Sequence, residues 1–234
     1  MPAPQPTPRT TIVIALYPGV THLDFTGPHQ VLSRAPDARV LTASLGGQDI
    51  AAEGLVFSKL ADLAAIERCD VLLVPGGFGC AEAMLDEAFM AQVRRLGASA
   101  RYVTSVCTGS LILAAAGLLA GKRAACHWAW RDQLRLFGVQ VSAARVERDG
   151  QVITGGGVTA GIDFAFVLLA ELAGEAYAQQ IQLALEYAPD PPFDAGRPET
   201  APPEIVAAVQ ARLAAITGDR MAAVAEAARR LQAA

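Results

Sequence analysis

Charge is scarce in this chain of 234 residues. Asp, Glu, Lys and Arg together make up 18% of it, and the formal net charge is −4. No run of Lys or Arg is present, so the sequence offers no phosphate-neutralising surface and does not read as a nucleic-acid binder. Histidine is rarer, with three residues, and the four cysteines show neither a CxxC spacing nor a Cys/His cluster suited to zinc. No metal or organic cofactor is expected from that pattern. Long apolar runs are missing too. The longest, Val106–Gly121, contains Cys, Thr, Ser and glycines and is too short to span a bilayer. The first ten residues, MPAPQPTPRT, lack the basic start and apolar stretch of a signal peptide. They read as a flexible arm, and with no address visible the expected location is the cytoplasm.

What is present is apolar. Hydrophobic residues make up 53% of the chain, enough for one large domain with a substantial core. Thr11–Tyr17, Val40–Ser44, Asp70–Val74 and Tyr102–Val106 are short β-branched or apolar runs of the kind buried in parallel sheets. Asp149-Gly150 is a hairpin signal between Val139–Glu147 and Gln151–Thr154. Helical segments are expected from Gly27 to Ser33, Ala81 to Leu96, Thr108 to Leu119, Trp130 to Phe137, Thr159 to Leu172 and Ala176 to Leu185. The Ala- and Arg-rich segment from Pro203 to Ala234 is helical by propensity. Alternating strands and helices predict an α/β fold: a doubly wound, mostly parallel sheet with helices on both faces. The expected organisation is a flexible arm over 1–10, one α/β domain over 11–200 and a C-terminal helical extension over 201–234. Ligands in such folds bind beyond the carboxyl ends of the strands, which directs attention to the loops there.

The most informative stretch is Arg101–Ser110, where a buried strand ends at Cys107 and a helix begins at once. A sharp strand-to-helix turn lifts a side chain above the sheet, as in a nucleophile elbow, although Ser105 stands where the GxSxG form has its first glycine. The unpaired amides of a helix start favour a thiolate, so the Cys107 pKa is expected to fall. The alternative is a packed core thiol, the common fate of a free Cys and the expectation for the other three. Asp24, just past the first strand, has two readings of equal weight. It either caps the following helix or shares a proton with the thiol, its pKa raised by burial. Gly76 and Gly77 end a strand and offer backbone amides to a substrate, or form a plain turn. Gly155–Ala160 superficially fits G-x-G-x-x-A. Helices follow it rather than a strand ending in an acidic residue, so a dinucleotide site is rejected. His127 either enters the pocket or packs on Trp128 or Trp130, and the two Trp read as packing residues. His22 and His29 read as surface or capping residues, so no acid–His–Cys triad is assembled.

Taken together, LDFTGPHQVL with Asp24, VLLVPGG with Gly76 and Gly77, YVTSVCTGSLILAAAGLLAGKRA with Cys107, and ITGGGVTAGIDFAF with Val158 and Thr159 resemble the DJ-1/PfpI superfamily. Those motifs and LEYAPDPPFDAG resemble its isocyanide (isonitrile) hydratase branch in particular. The likeness runs from about Ile12 to about Thr200. The departures from other branches are specific. Peptidase-like members carry His directly after the nucleophile, where this chain has Thr108. Class I amidotransferases have Gly before it, where this chain has Val106. DJ-1-like members place Glu where Asp24 stands.

The resemblance implies a hydro-lyase that adds water to an isocyanide through a thioimidate on Cys107. Asp24 would move the proton, Thr108 would steady the thiolate or water, and backbone at Gly76, Gly77, Gly157, Val158 and Thr159 would line the substrate site. It also implies a homodimer acting on a small molecule, with no nucleic-acid or membrane partner. The competing expectations are an oxidation-sensing thiol protein, a glyoxalase-like enzyme, and a ligand-binding module related to transcriptional regulators.

Overall fold

The computed structural model describes residues 10–233. The arm expected over 1–10 therefore lies, apart from Thr10, outside the described residues. The chain opens with β1 (Thr10–Ala15), α1 (Leu23–Leu32) and β2 (Ala38–Ser44). A small hairpin of β3 (Ile50–Ala52) and β4 (Leu55–Phe57) and the two-residue β5 (Ala61–Asp62) precede β6 (Val71–Val74). Next come α2 (Cys80–Leu85), α3 (Glu87–Ser99), β7 (Tyr102–Val106) and α4 (Gly109–Ala115). Then follow β8 (Arg123–Ala125), a 3-10 helix over Arg131–Phe137, β9 (Gln140–Ser142), β10 (Val146–Asp149) and β11 (Val152–Gly155). The remainder is helical: α5 (Ala160–Ala173), α6 (Glu175–Ala184), α7 (Pro203–Thr217) and α8 (Arg220–Gln232).

Seven strands form the central sheet in the order β10-β11-β7-β6-β1-β2-β5. All neighbours are parallel except β10, which returns antiparallel on β11 through the Asp149-Gly150 turn. The inner strands are buried on both faces because helices cover both, which is why they read as continuous apolar runs instead of alternating ones. Ile12, Ile14, Leu72, Leu73, Phe89 and Phe164 are all 2% exposed or less at the centre of the core. The sequence runs from β1 outward to β2 and β5, then returns to β6 on the other side of β1. That reversal places a topological switch point, the usual ligand crevice of such folds, between β1 and β6.

Several boundaries differ from the sequence reading, each for a local reason. The helix expected over Ala81–Leu96 is two, because Asp86 stops α2 and its carboxyl accepts from the Ala88 and Phe89 amides to start α3. The helix expected to Leu119 ends near Ala116, where Gly117 takes a φ of 78°. The helix expected over Trp130–Phe137 is a 3-10 helix over Arg131–Phe137 and not an α-helix.

Gly109, at the start of α4, lets that helix sit directly on the end of β6. A Cβ there would lie far inside contact distance of the Val74 carbonyl oxygen. Helix propensity alone would make Gly109→Ala stabilising by about 1 kcal/mol. The steric conflict with backbone is expected to win, giving a net loss of about 1–3 kcal/mol that urea denaturation would measure.

Candidate active site

Four adjacent strands, β11, β7, β6 and β1, deliver the candidate residues to one end of the sheet. β7 ends at Val106 and Cys107 follows with φ 60°, the left-handed backbone of a tight elbow. A non-glycine residue held there carries strain of order 1 kcal/mol or more. The strand alongside holds it in place. The Cys107 amide donates to the Gly155 carbonyl at 3.1 Å and to the Gly156 carbonyl at 2.7 Å, both at the end of β11. The elbow thus forms without the GxSxG pattern, because the neighbouring backbone fixes the turn.

Asp24 lies in the first turn of α1 and not in a loop before it, so it does not cap a helix starting at Gly27. It is completely buried. Its Oδ2 accepts from the Gly76 amide at 2.8 Å, a bond that crosses the switch point from the β1 side to the β6 side. Its Oδ1 has no hydrogen-bond partner among the described residues. Burial drives the carboxyl up to about 7, and the Gly76 amide and the neighbouring Cys107 thiol only partly offset that rise. Gly76 must be glycine for this contact, since a Cβ would stand 2.7 Å from Thr108 Oγ1 and 2.8 Å from Asp24 Oδ2.

The Cys107 thiol is also pushed up, well above its ordinary value, first by burial and then by the Asp24 charge. The Thr108 amide acts in the opposite direction. This corrects the expectation of a lowered thiol pKa. The amide at the helix start is present and acts with the expected sign, but desolvation of a residue only 5% exposed outweighs it. Both acids are raised by burial, and the Asp24 charge raises the thiol further, so the pair holds one proton over a wide pH range.

Thr108 Oγ1 accepts from the Gly77 amide at 2.9 Å and lies 3.2 Å from the Gly77 carbonyl, to which it donates. Its hydroxyl thus holds the β6 loop, and its amide is the group that faces the sulfur. For the same reason the Gly76 and Gly77 amides are engaged by Asp24 and Thr108 and are not free donors for a substrate.

The cavity over Cys107 is about 90 Å³. Of the residues singled out in the sequence, Gly77, Thr108 and Val158 line it and Gly76 does not. Gly157 and Thr159 do not reach it. They border an adjoining cavity of about 210 Å³ that Val158 and His127 also touch. His127 satisfies both of its readings. It lines the cavity, and its ring stacks on Trp128 at a centroid distance of 5.8 Å. Its Nδ1 accepts from the Ala129 amide at 3.3 Å and burial lowers its pKa, so it is neutral with the proton on Nε2. Trp130, read as a packing residue, is also a cavity wall. Thr21, Phe78 and Leu213 complete the lining and were not singled out in the sequence. Thr21 and Phe78 were signalled by their position beside Asp24 and Gly77. Leu213 comes from α7 and had no such signal.

Comparison with known proteins agrees with this architecture. Residues 10–171 match the DJ-1/PfpI family. The chain is 48% identical over 211 residues to the isonitrile hydratase of Pseudomonas putida, covering 85% of this chain and 88% of that protein. Among solved structures, a ThiJ/PfpI family protein from Pseudomonas syringae superposes with a TM-score of 0.88 at 38% identity, covering 96% of this chain and 97% of that one. Drosophila melanogaster DJ-1beta superposes with a TM-score of 0.70 at 25% identity, covering 77% of this chain and 99% of that one.

Proposed function

We propose, from the premise that this chain belongs to the DJ-1/PfpI family, that it is an isonitrile hydratase, converting an isocyanide and water to an N-substituted formamide. The observation that carries the reading is the buried pair at the switch point: the Cys107 sulfur under a small cavity and the Asp24 carboxyl beside it, with Oδ1 unpartnered. The 48% identity to an isonitrile hydratase supports the same substrate class.

The terminal carbon of an isocyanide needs a nucleophile and a proton at the same atom. With Asp24 ionised and Cys107 protonated, the pair holds the one proton required. Asp24 takes the thiol proton, the sulfur bonds to the terminal carbon, and the carboxylic acid delivers that proton to the same carbon. The product is a thioimidate, R–N=CH–S–Cys107. Asp24, again a carboxylate, takes a proton from water as its oxygen adds to that carbon and passes the proton to nitrogen. The tetrahedral adduct then forms its carbonyl, the hydroxyl proton returns to the pair, and the C–S bond breaks to release the formamide. The Thr108 amide steadies negative charge on the sulfur during both departures. The Thr108 hydroxyl, through Gly77, keeps the β6 loop in register with the elbow.

The direct test is to incubate the purified protein with an alkyl isocyanide and follow the formyl proton by NMR, with methylglyoxal and mild peroxide in parallel. Formamide production supports the reading. Turnover of methylglyoxal alone, or oxidation of Cys107 without turnover, replaces it with the glyoxalase or sensor reading. Burial and a raised pKa weigh against the sensor, which needs an accessible thiolate. The pH dependence is expected to follow the pair. As pH falls through about 7, Asp24 takes a second proton onto the pair and can no longer accept one from the thiol. Thus kcat/KM falls about tenfold per pH unit on the acid side, with a second, high-pH limb when the shared proton is lost. A rate independent of pH between 5 and 8 would rule out this assignment of the base.

A further inference from the structure

The reaction cavity is too small for a bulky substrate. At about 90 Å³ it is smaller than the roughly 150 Å³ void that admits a benzene ring. It accommodates the linear isocyanide group and its first carbon, not a ring. Its outer wall is formed by Trp130 and Leu213, and the same two residues border a second cavity of about 510 Å³ between the 3-10 helix and α7. The two spaces therefore adjoin across the Trp130–Leu213 pair.

We propose that Leu213 is a specificity-determining residue. The N-substituent of the isocyanide passes between Leu213 and Trp130 into the larger cavity. The inference rests on the hydratase reading and adds to it the residue that sorts substrates by the size of the N-substituent. The lining suits an uncharged group: Trp128, Ala129, Ala214 and Met221 are apolar, and Gln210 and Thr217 add neutral polar side chains. The charged side chains at its edge are already paired, Arg131 with Glu199 at 2.9 Å and Asp132 with Arg135 at 3.6 Å. The wall is also held at the site. α8 is anchored by the buried side chains Val224, Ala227 and Ala228. At its start Arg220 donates to the Phe78 carbonyl at 2.9 Å and pairs with Glu82 at 3.7 Å, so the turn leading from α7 is tied to a residue of the reaction cavity itself. α7 buries no side chain fully, which makes Leu213 replaceable without disturbing the core.

The test compares wild-type protein with Leu213→Trp and Leu213→Ala on methyl isocyanide and phenyl isocyanide. Filling the passage in Leu213→Trp is expected to lower the phenyl-to-methyl ratio of kcat/KM by about tenfold or more, while Leu213→Ala, which leaves the passage open, does not. Equal losses on both substrates, or an unchanged ratio, overturn the inference and leave the hydratase reading standing. A second readout does not depend on turnover. Methyl and benzyl methanethiosulfonate each transfer their R–S group to Cys107, forming a mixed disulfide and releasing methanesulfinate, and mass spectrometry of the Cys107 peptide gives both rates. Leu213→Trp is expected to slow the benzyl reagent about tenfold more than the methyl one. If the wild type hydrates no isocyanide, the hydratase reading falls, and the reagent ratio still decides whether Leu213 controls passage to Cys107.

Discussion

Cys107→Ala is expected to lower kcat/KM for isocyanide hydration by about four orders of magnitude or more, with the fold intact. Removing a covalent nucleophile eliminates the intermediate and leaves only what binding and electrostatics supply. The fold should survive because alanine meets the same left-handed backbone as cysteine and keeps the amide bonds to Gly155 and Gly156. Cys107→Ser makes the control sharper, since it preserves size and hydrogen-bonding capacity and removes only the sulfur. Both variants should melt within a few degrees of the wild type by circular dichroism and give no formamide by NMR. Turnover by either at more than a hundredth of the wild-type rate would remove Cys107 from the mechanism.

Asp24→Asn has two expected effects of opposite kind. The amide cannot accept the thiol proton, so turnover should fall about 10²–10⁴-fold, and no adduct mass should accumulate on Cys107. Stability should move the other way above neutral pH. In the folded protein the carboxyl titrates at about 7 against an ordinary 3.8. Between those values the folded state keeps a proton that the unfolded state has lost, so stability declines as pH rises through that window and levels off above it. The penalty at pH 8 is on the order of 4 kcal/mol, at 1.36 kcal/mol per tenfold. Asparagine avoids this penalty and still accepts from the Gly76 amide, but it puts an amide group where Oδ1 has no partner, at a cost of about 1–3 kcal/mol. Relief from burying a charge outweighs the unpartnered amide. A net gain of about 1–3 kcal/mol is expected at pH 8, shrinking to zero or reversing near pH 4 where Asp24 is neutral. Denaturation midpoints at the two pH values check it, and a stability difference that does not vary with pH would show that Asp24 is not held at a raised pKa.

The parts that sequence conveyed best were those set by local pattern. The buried runs at β1, β6 and β7 and the Asp149-Gly150 hairpin are visible as composition, and they lead directly to the parallel sheet and the elbow at Cys107. Asp86 is a local signal too, an N-cap in the middle of an otherwise continuous helical stretch. What escaped was set by burial and by distance along the chain. The helix-start amide beside Cys107 can be read from a strand–helix junction, whereas the desolvation that outweighs it depends on everything packed around the sulfur. Gly76 and Gly77 suggested free donors, and only the folded arrangement shows their amides engaged by Asp24 and Thr108. Leu213 belongs to a helix without a fully buried residue, more than a hundred positions from the elbow, so nothing local marks it as a cavity wall.

The left-handed backbone at Cys107 bears on how such a position survives mutation. Side chains there carry a conformational penalty, smallest for Asn and Asp and largest for β-branched residues, and glycine relieves it. Folding stability alone would favour glycine there, and on the proposed function the reactivity of the sulfur is what glycine would forfeit.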